Sequence, residues 1–451
     1  IQDKAKPTDW VEFSVSGWPL LEQTAAIDWW RRRFASEKQP DGKRPAKLMV
    51  CVVSGERTAP ELTNPKIAGL PGGLSAGRAF LSFDKNAFGS FGLEKSANAA
   101  MSARIANAYT AGINELIKQR SVLLAGGRVL YWFKESGAVS EAEDPLAWLQ
   151  GTSSETQIEL SALAQARNLL KAIETGARPD LAANQYHALT LSGASGRVMV
   201  RAFMEGSFPE LVSMVAQWFD DLRMVANDGL GESRTPKLFA LAASLVFEPK
   251  NLTPGVAIAL WHCGLRGAPV PGTLLSAALA RFRADLIADN PFNTARMGLI
   301  KAYFLRRHQG AIPMEPYLNE QHPEPAYQCG RLMAVLAALQ KAAIPEVNAG
   351  LVQRYYTAVS QTPALVLGRL IANSQNHLAK LDAGLAYWFE QRIAAIASSL
   401  GDRLPKTLTQ EQQGLFALGY YQQIAANRAG KSASVMTKTT ETAANEGATQ
   451  S

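Results

Sequence analysis

The chain has 451 residues, of which 47% are hydrophobic and 19% are charged. A chain of this length and composition can bury a large core, which excludes an intrinsically disordered protein and favours two or three domains. Its 46 Lys and Arg residues outnumber its 39 Asp and Glu residues, so the net charge is +7. This mild excess permits a polyanionic partner without requiring one.

The sequence also indicates a cellular compartment. No segment reaches the roughly 18 uninterrupted apolar residues that a membrane-spanning helix requires, and the beginning of the chain has no signal-peptide pattern. The three cysteines, Cys51, Cys263 and Cys329, lie far apart. An odd number of dispersed cysteines in a large chain is typical of reduced intracellular thiols. We therefore expect a cytoplasmic protein.

The first part of the chain alternates short apolar runs with turn residues, as strands of a sheet do. These runs predict strands over 47–54, 78–83, 128–133, 185–192 and 197–203. The last two flank a short glycine-containing connection, which predicts an antiparallel hairpin. Apolar residues at helical spacing over 98–120 predict a helix that packs on the sheet.

Strand-like runs fade after residue 206, and helical segments follow one another with Pro or Gly between them. After residue 428 the composition shifts to Ala, Ser, Thr, Lys and Glu, with few large apolar residues to offset the entropy of ordering. The prediction is an α+β fold whose antiparallel or mixed sheet precedes an all-helical region. Its parts are an α+β domain over 1–205, a helical domain over 206–312, a C-terminal helical bundle over 313–428 and a disordered tail over 429–451.

A glycine-rich segment over 69–78 matches two enzyme patterns by letter. Gly73-Leu-Ser75-Ala-Gly77 has the spacing of a nucleophile elbow, but that motif needs a helix after the serine, and here a predicted strand follows. Gly72 and Gly77 also have the frame of a phosphate-binding loop, yet Arg78 stands where that loop has its lysine. A serine hydrolase using Ser75 therefore stays an alternative, and we expect no enzyme.

The same segment suits a different role. Gly72, Gly73 and Gly77 allow the backbone to approach a polyanion closely, and Lys66 and Arg78 add positive charge on either side. The alternative interpretation is a plain surface turn. The sequence contains no recognisable metal or cofactor motif, and its five histidines are scattered.

Further cations lie on predicted strands and helices. Arg197 and Arg201 occupy alternate positions of one strand, so both point to the same face, where phosphate contact and cross-strand pairing are equally plausible. In the predicted terminal bundle, basic residues stand among polar amides: Arg331, Arg354, Arg369 and Lys380.

Several motifs together resemble one known family. They are Val50-Cys51-Val-Val-Ser-Gly55-Glu56, Lys66-Ile-Ala-Gly69, Leu81-Ser-Phe-Asp-Lys-Asn86, Ser96-Ala-Asn98, Tyr327-Gln-Cys-Gly-Arg331 and Gly414-Leu-Phe-Ala-Leu-Gly419. With the glycine-rich loop and the hairpin, they are similar to the large subunit of the type I-C CRISPR Cascade complex. The resemblance spans about residues 10 to 425. Members of that family usually carry a longer region before the Cys-x-x-Ser-Gly-Glu block, so the N-terminal region is expected to be missing here.

The resemblance implies a non-catalytic subunit of an RNA-guided antiviral complex. Such a subunit recognises the protospacer-adjacent motif in duplex DNA, aids R-loop formation, holds the displaced single strand and recruits the helicase-nuclease, while guide pairing reads the target. Its implied partners are the crRNA-containing complex, with its crRNA-processing, backbone and small subunits, and the target DNA. The helical bundle is also similar to the small subunit, for which Met297, Met314 and Met333 are candidate internal starts.

The chemistry of individual residues fits the role that the resemblance implies. The glycine-rich loop, with Gly72, Gly73, Ser75 and Gly77 between Lys66 and Arg78, would act as a wedge against duplex DNA. Asn86 is a further candidate contact, although a small polar residue in such a turn commonly satisfies its own backbone. The positive track for single-stranded DNA would comprise Arg197, Arg201, Arg331, Arg354, Arg369 and Lys380. A purely scaffolding helical protein is the third hypothesis.

Overall fold

A computed structural model describes residues 12–37, 48–61, 63–73, 76–124, 126–150, 162–194, 197–290, 292–346, 350–401 and 403–448. The chain divides into two compact units. The first comprises 1–66 and 79–112, and the second comprises 67–78 and 113–451. Both predicted helical regions therefore fall within the second unit, and the boundaries at 205 and 312 stay predictions.

The first unit contains short strands and turns. Its elements are β1 (Ser14–Val15), β2 (Trp18–Pro19), α1 (Thr24–Glu37), β3 (Met49–Val50) and β4 (Arg57–Thr58). β1 pairs with β2 and β3 with β4, both antiparallel. The chain passes between the units in β5 (Lys66–Ile67), β6 (Arg78–Ala79) and α2 (Ala103–Gln119).

Two predicted strands are much shorter than expected. In place of a strand over 47–54, the chain turns back after Val50, because the Gly55 amide donates to the Cys51 carbonyl at 2.9 Å. In place of a strand over 78–83, pairing ends at Ala79. Farther along, the Asn64 side chain donates to the Leu81 carbonyl at 3.1 Å, so a side chain replaces a neighbouring strand there.

The main sheet lies in the second unit and confirms the predicted hairpin. It consists of β7 (Ser121–Leu124), β8 (Gly127–Phe133), β9 (Gln185–Ala194) and β10 (Arg197–Ser207), in the spatial order β10-β9-β8-β7. Every neighbouring pair is antiparallel. One face carries alternate residues such as Tyr131, Ala188 and Met204, which are buried in the core.

The helical region of the second unit confirms the α+β fold class. Pro at the first turn starts several helices, and Asn293 and Asp382 cap two others with their side chains. The helices are α3 (Pro145–Gln150), α4 (Ala162–Glu174), α5 (Pro179–Ala182), α6 (Phe208–Asp221), α7 (Leu238–Ala243), α8 (Pro254–Arg266), α9 (Gly272–Ile287), α10 (Thr294–His308), α11 (Pro325–Ala343), α12 (Leu351–Gln361), α13 (Pro363–Leu378), α14 (Ala383–Leu400) and α15 (Gln410–Ala448).

Helix α15 extends to Ala448, and the disorder expected after residue 428 stays a prediction. Ala, Lys and Glu have high helix propensity, and a helix that is already nucleated extends at little cost. None of the described helices combines the length and the apolar character needed to cross a membrane.

A buried arginine joins three helices of the second unit. Arg306 on α10 donates to the Asp221 carboxylate at the end of α6 at 2.6 Å and to the Cys263 carbonyl of α8 at 2.6 Å. Its guanidinium also lies over the Trp218 ring. Burial raises the pKa of Asp221, and the charge of Arg306 opposes that shift. Removing either partner would leave a buried charge uncompensated.

Helices α11 and α15 approach each other closely at two glycines. A Cβ atom on Gly330 would lie 2.0 Å from the Phe416 carbonyl oxygen, and one on Gly419 would lie 2.2 Å from the Tyr327 carbonyl oxygen. Each helix therefore supplies a glycine where the backbone of the other passes. Two motifs that carry the family resemblance pack directly against each other here.

We predict that Gly330→Ala lowers the free energy of unfolding by about 3 kcal/mol, because the added methyl group overpacks a contact with backbone atoms. The measurement is thermal or urea unfolding followed by circular dichroism. Gly368→Ala is the matched control, since its Cβ would meet nothing within 4 Å on α13. An equal loss of stability in both variants would contradict this explanation.

Candidate nucleic-acid interface

The glycine-rich loop of the second unit depends on glycine at two positions. Gly72 and Gly77 have φ angles of +71° and +70°, a left-handed conformation that other residues rarely adopt. At Gly77 a Cβ atom would also lie 2.5 Å from the Ile67 carbonyl oxygen. The loop therefore turns sharply and returns beside its own start.

The loop crosses the tip of the β9–β10 hairpin through direct backbone contact. The Gly193 amide donates to the Pro71 carbonyl at 2.8 Å. A Cβ atom on Gly193 would lie 2.3 Å from the Gly73 nitrogen, and one on Gly72 would lie 2.7 Å from the Gly193 carbonyl oxygen. Three glycines thus allow two chain segments to touch without side chains between them. We call this contact the glycine crossing.

An open cleft lies at the glycine crossing. Arg78 and Arg197 bring positive charge to it from the loop and the hairpin. Arg78 is half-buried, and its Nε has no hydrogen-bond partner among the described residues, whereas Arg197 is exposed. The rest of the lining consists of Ile67, Leu70, Gly73, Gly77, Gly193 and Val198. The structure thus brings together predicted residues from two separate segments.

Lys66 and Asn86 are not among the residues that line the cleft. Lys66 is exposed on β5, and Asn86 is exposed at the start of a short 3₁₀ turn in the first unit. The Asn86 carbonyl accepts a hydrogen bond from the Gly89 amide at 3.0 Å, so its backbone serves the local turn. Ser75 lies outside the described residues.

Arg201 makes a hydrogen bond across the hairpin, which was one of the two alternatives for Arg197 and Arg201. It occupies a β-bulge between Val200 and Ala202, and its Nε donates to the Ser192 hydroxyl of β9 at 2.7 Å. Met199 lies directly opposite Ser192, so Met199 and the Arg201 side chain share one face. Arg201 Nε thus makes a cross-strand hydrogen bond, and phosphate contact by this exposed residue stays a prediction.

Arg331, which was predicted to belong to the positive track for single-stranded DNA, is buried. Only 3% of its surface is exposed. Its guanidinium donates to Gln423 Oε1 at 3.0 Å and to the Glu320 carbonyl at 2.8 Å. Burial lowers the pKa of Arg331, and Glu320 opposes this shift. Arg331 therefore holds α11 against α15, and it has no exposed donor to offer a phosphate. The apolar residues on every side of it, from Cys329 to Leu336, are the sequence pattern of a buried helix.

The other predicted cations of the terminal bundle are exposed, on α12 and on or just beyond α13. Arg354 lies on α12, and Arg369 lies on α13. Asn373 and Asn376 follow Arg369 at helical spacings of four and seven residues, so these three share one exposed stripe of α13. Lys380 is exposed in the turn just after the helix. We call these four residues the α13 stripe.

Sequence reasoning missed one signal for this stripe. No Asp or Glu occurs between Glu346 and Asp382, so both α12 and α13 lack carboxylate side chains. The positive charge there comes from the local absence of acids and not from an excess of bases. Elsewhere, among the described residues, no group of three or more His, Cys, Asp or Glu side chains is arranged to hold a metal ion.

We predict that Gly193→Ala separates the loop from the hairpin, since its methyl group would overlap backbone atoms of Gly72 and Gly73. Hydrogen–deuterium exchange of peptides covering 69–78 should become at least about tenfold faster, because a local contact is lost while the fold is kept. Gly137→Ala is the control, because its Cβ meets nothing within 4 Å. Unchanged exchange in the Gly193 variant would show that the crossing does not hold the loop.

One comparison with known proteins identifies a family. The family model described as CRISPR-associated protein (Cas_Csd1) matches residues 1–427, which include the glycine crossing, the cleft and the α13 stripe. No curated protein matches the chain. This match confirms the family predicted from the sequence motifs. The chain is therefore a member of the Cas_Csd1 family of CRISPR-associated proteins.

Proposed function

We propose that this protein is the large, non-catalytic subunit of a type I-C Cascade complex, and that its cleft engages duplex DNA at the protospacer-adjacent motif. The observation that carries the proposal is the glycine crossing, which places Arg78 and Arg197 on one cleft. Recognition of a short motif by the protein leaves the remaining sequence to the guide RNA.

The composition of the cleft fits a nucleic-acid groove. Guanidinium groups bind phosphate oxygens or the guanine edge in a bidentate manner, and Arg78 keeps a buried Nε without a protein partner among the described residues. The glycines at the crossing let the backbone approach DNA closely. Apolar side chains of Leu70 and Val198 beside these groups suit the wedge that separates base pairs in opened duplexes.

The α13 stripe supports the second part of the proposal, which is that the protein holds the displaced strand. A row of cations and amides without nearby carboxylates attracts a phosphate backbone without reading its sequence. Arg369 and Lys380 provide the charge, and Asn373 and Asn376 provide hydrogen-bond donors between them. Arg354 on the neighbouring helix adds a further exposed cation.

A non-catalytic role is supported by the elements around the loop. The glycine-rich loop runs into strand β6, so it lacks the following helix that a nucleophile elbow or a phosphate-binding loop uses. We further propose that the partners are the crRNA-processing, backbone and small subunits and the helicase-nuclease. The proposed location is the cytoplasm, where Cys51, Cys263 and Cys329, all buried free thiols in this structure, stay reduced.

Neutralising both cleft arginines tests the DNA-engaging role. We predict that Arg78→Gln with Arg197→Gln weakens binding of the guide-RNA complex to a matched, motif-containing duplex by about tenfold or more. The salt dependence should also flatten by about two units of slope, because each lost phosphate contact removes about 0.9. The measurement is equilibrium binding across a salt series, with and without the motif.

Arg167→Gln is the control for a general loss of charge, because Arg167 is exposed and pairs with Asp220 at 2.9 Å away from the cleft lining. It should leave motif-dependent binding unchanged. If the double variant also binds normally, the loop is structural and a scaffolding role is favoured. If Ser75→Ala abolishes an activity while DNA affinity stays intact, the hydrolase alternative is favoured.

Neutralising the α13 stripe tests the hold on displaced DNA. We predict that Arg369→Gln with Lys380→Gln reduces protection of the displaced strand from a single-strand nuclease by about fivefold, because two backbone contacts are lost. Motif-dependent duplex binding should stay within about twofold of wild type, since the cleft is intact. Asn373→Ala with Asn376→Ala keeps the charge and should have a smaller effect. Equal protection in all variants would contradict this part of the proposal.

A further inference from the structure

Three planar side chains lie side by side across the main sheet. Trp132 on β8 and His187 on β9 are stacked, with ring centroids 5.1 Å apart and an interplanar angle of 20°. His187 is also stacked with Phe203 on β10, at 6.4 Å and 18°. We call these three residues the aromatic row.

The aromatic row lies on the sheet face that is not packed on the helical core. Tyr131, Phe133 and Tyr186 are buried in the core, so the intervening Trp132 and His187 point to the opposite face. Phe203 precedes the core residue Met204 on β10, so it also points to the opposite face. Phe203 belongs to the edge strand and is 48% exposed, so its ring is open to a ligand.

A path of apolar side chains leads from the cleft to the aromatic row. Val198, Val200 and Phe203 lie opposite Gly193, Leu191 and Leu189, which are alternate residues of β9 on the same face as His187. Val198 lines the cleft, and Val200 is 50% exposed. Phe203 lies about 20 Å along β10 from Arg197, at the usual rise per residue. The row is therefore continuous with the cleft through β10.

Two positive side chains and one carboxylate lie beside the aromatic row. The Arg266 guanidinium donates to the Phe203 carbonyl at 3.1 Å. Lys134 is exposed just after the end of β8, two residues beyond Trp132. Its backbone amide donates a hydrogen bond to the Gln185 carbonyl at 2.9 Å. The Glu205 carboxylate lies 3.4 Å from Nδ1 of His187. Aromatic faces with cations beside them are the combination that binds single-stranded nucleic acid.

We propose that the aromatic row binds an unpaired base of single-stranded DNA by stacking on the exposed Phe203 ring, because the faces of the His187 ring are already covered by Trp132 and Phe203. This inference rests on the proposed function, in that strand separation at the cleft would deliver unpaired bases to β10. The aromatic row would recognise DNA through its planar bases. The α13 stripe would instead hold the phosphate backbone of the displaced strand. Four-stranded sheets with exposed rings bind single strands in this manner.

The test compares two single-stranded probes on the full chain. One is a fluorescent oligothymidylate of twenty nucleotides, and the other is an abasic phosphodiester of equal length and charge. Wild type should prefer the oligothymidylate by about tenfold, which lies within the range that stacking on one aromatic side chain contributes. Phe203→Leu should reduce the preference to about twofold or less, and Phe203→Trp should retain it, because the second variant keeps a ring.

The outcomes separate the two proposals. A wild-type chain without preference for the base-containing probe, or a leucine variant that keeps the preference, would overturn the aromatic row as a base site. Phe203→Leu should leave motif-dependent binding of duplex DNA by the assembled complex unchanged. If that duplex binding is absent even in wild type while the base preference persists, the cleft proposal fails and the stacking site stands. Melting temperatures of both variants within a few degrees of wild type would show that the sheet is intact.

Discussion

The candidate nucleic-acid interface depends on the absence of side chains where the glycine-rich loop meets the β9–β10 hairpin. At Gly193 even a single methyl group would overlap the backbone of Gly73, so the approach of the two segments is limited only by backbone atoms. Because the segments touch, Arg78 and Arg197 reach the same cleft from distant parts of the sequence. Side chains at the crossing would push the loop away and separate the two charges. Glycine here determines where the cations lie, although it contributes no charge itself.

The same use of glycine organises the helices of the second unit. Gly330 and Gly419 let α11 and α15 pack with their backbones in contact, and the buried Arg331 then bridges the two helices through Gln423. This rigid pair leaves α12 and α13 at the surface, where cations face solvent. Buried arginines such as Arg306 hold the helices together, and exposed arginines such as Arg369 are free to meet a ligand in solvent. Arginine therefore has two roles in this protein: buried arginines connect helices, and exposed arginines are available to a ligand.

Local patterns in the sequence predicted the hairpin and the helical region, because period-two alternation and apolar helical spacing are properties of short segments. They failed where a distant contact decides the outcome. The turn at Gly55 shortened one predicted strand, and the burial of Arg331 depends on α15, which lies far along the chain. The glycine crossing leaves no local signal at Gly193, since its partner is the loop over 69–73. The sequence reasoning also missed the stretch without acids over α12 and α13, and the shared face of the α13 stripe required the helix bounds.

The central claim is that the loop and the hairpin tip engage motif-containing DNA as one surface. Hydrogen–deuterium exchange of the assembled complex, with and without a matched duplex, measures this most directly. The account predicts that peptides covering 69–78 and 193–201 become protected together, and only when the duplex carries the adjacent motif. Binding of that duplex without protection of either segment, or equal protection by a duplex that lacks the motif, would contradict it.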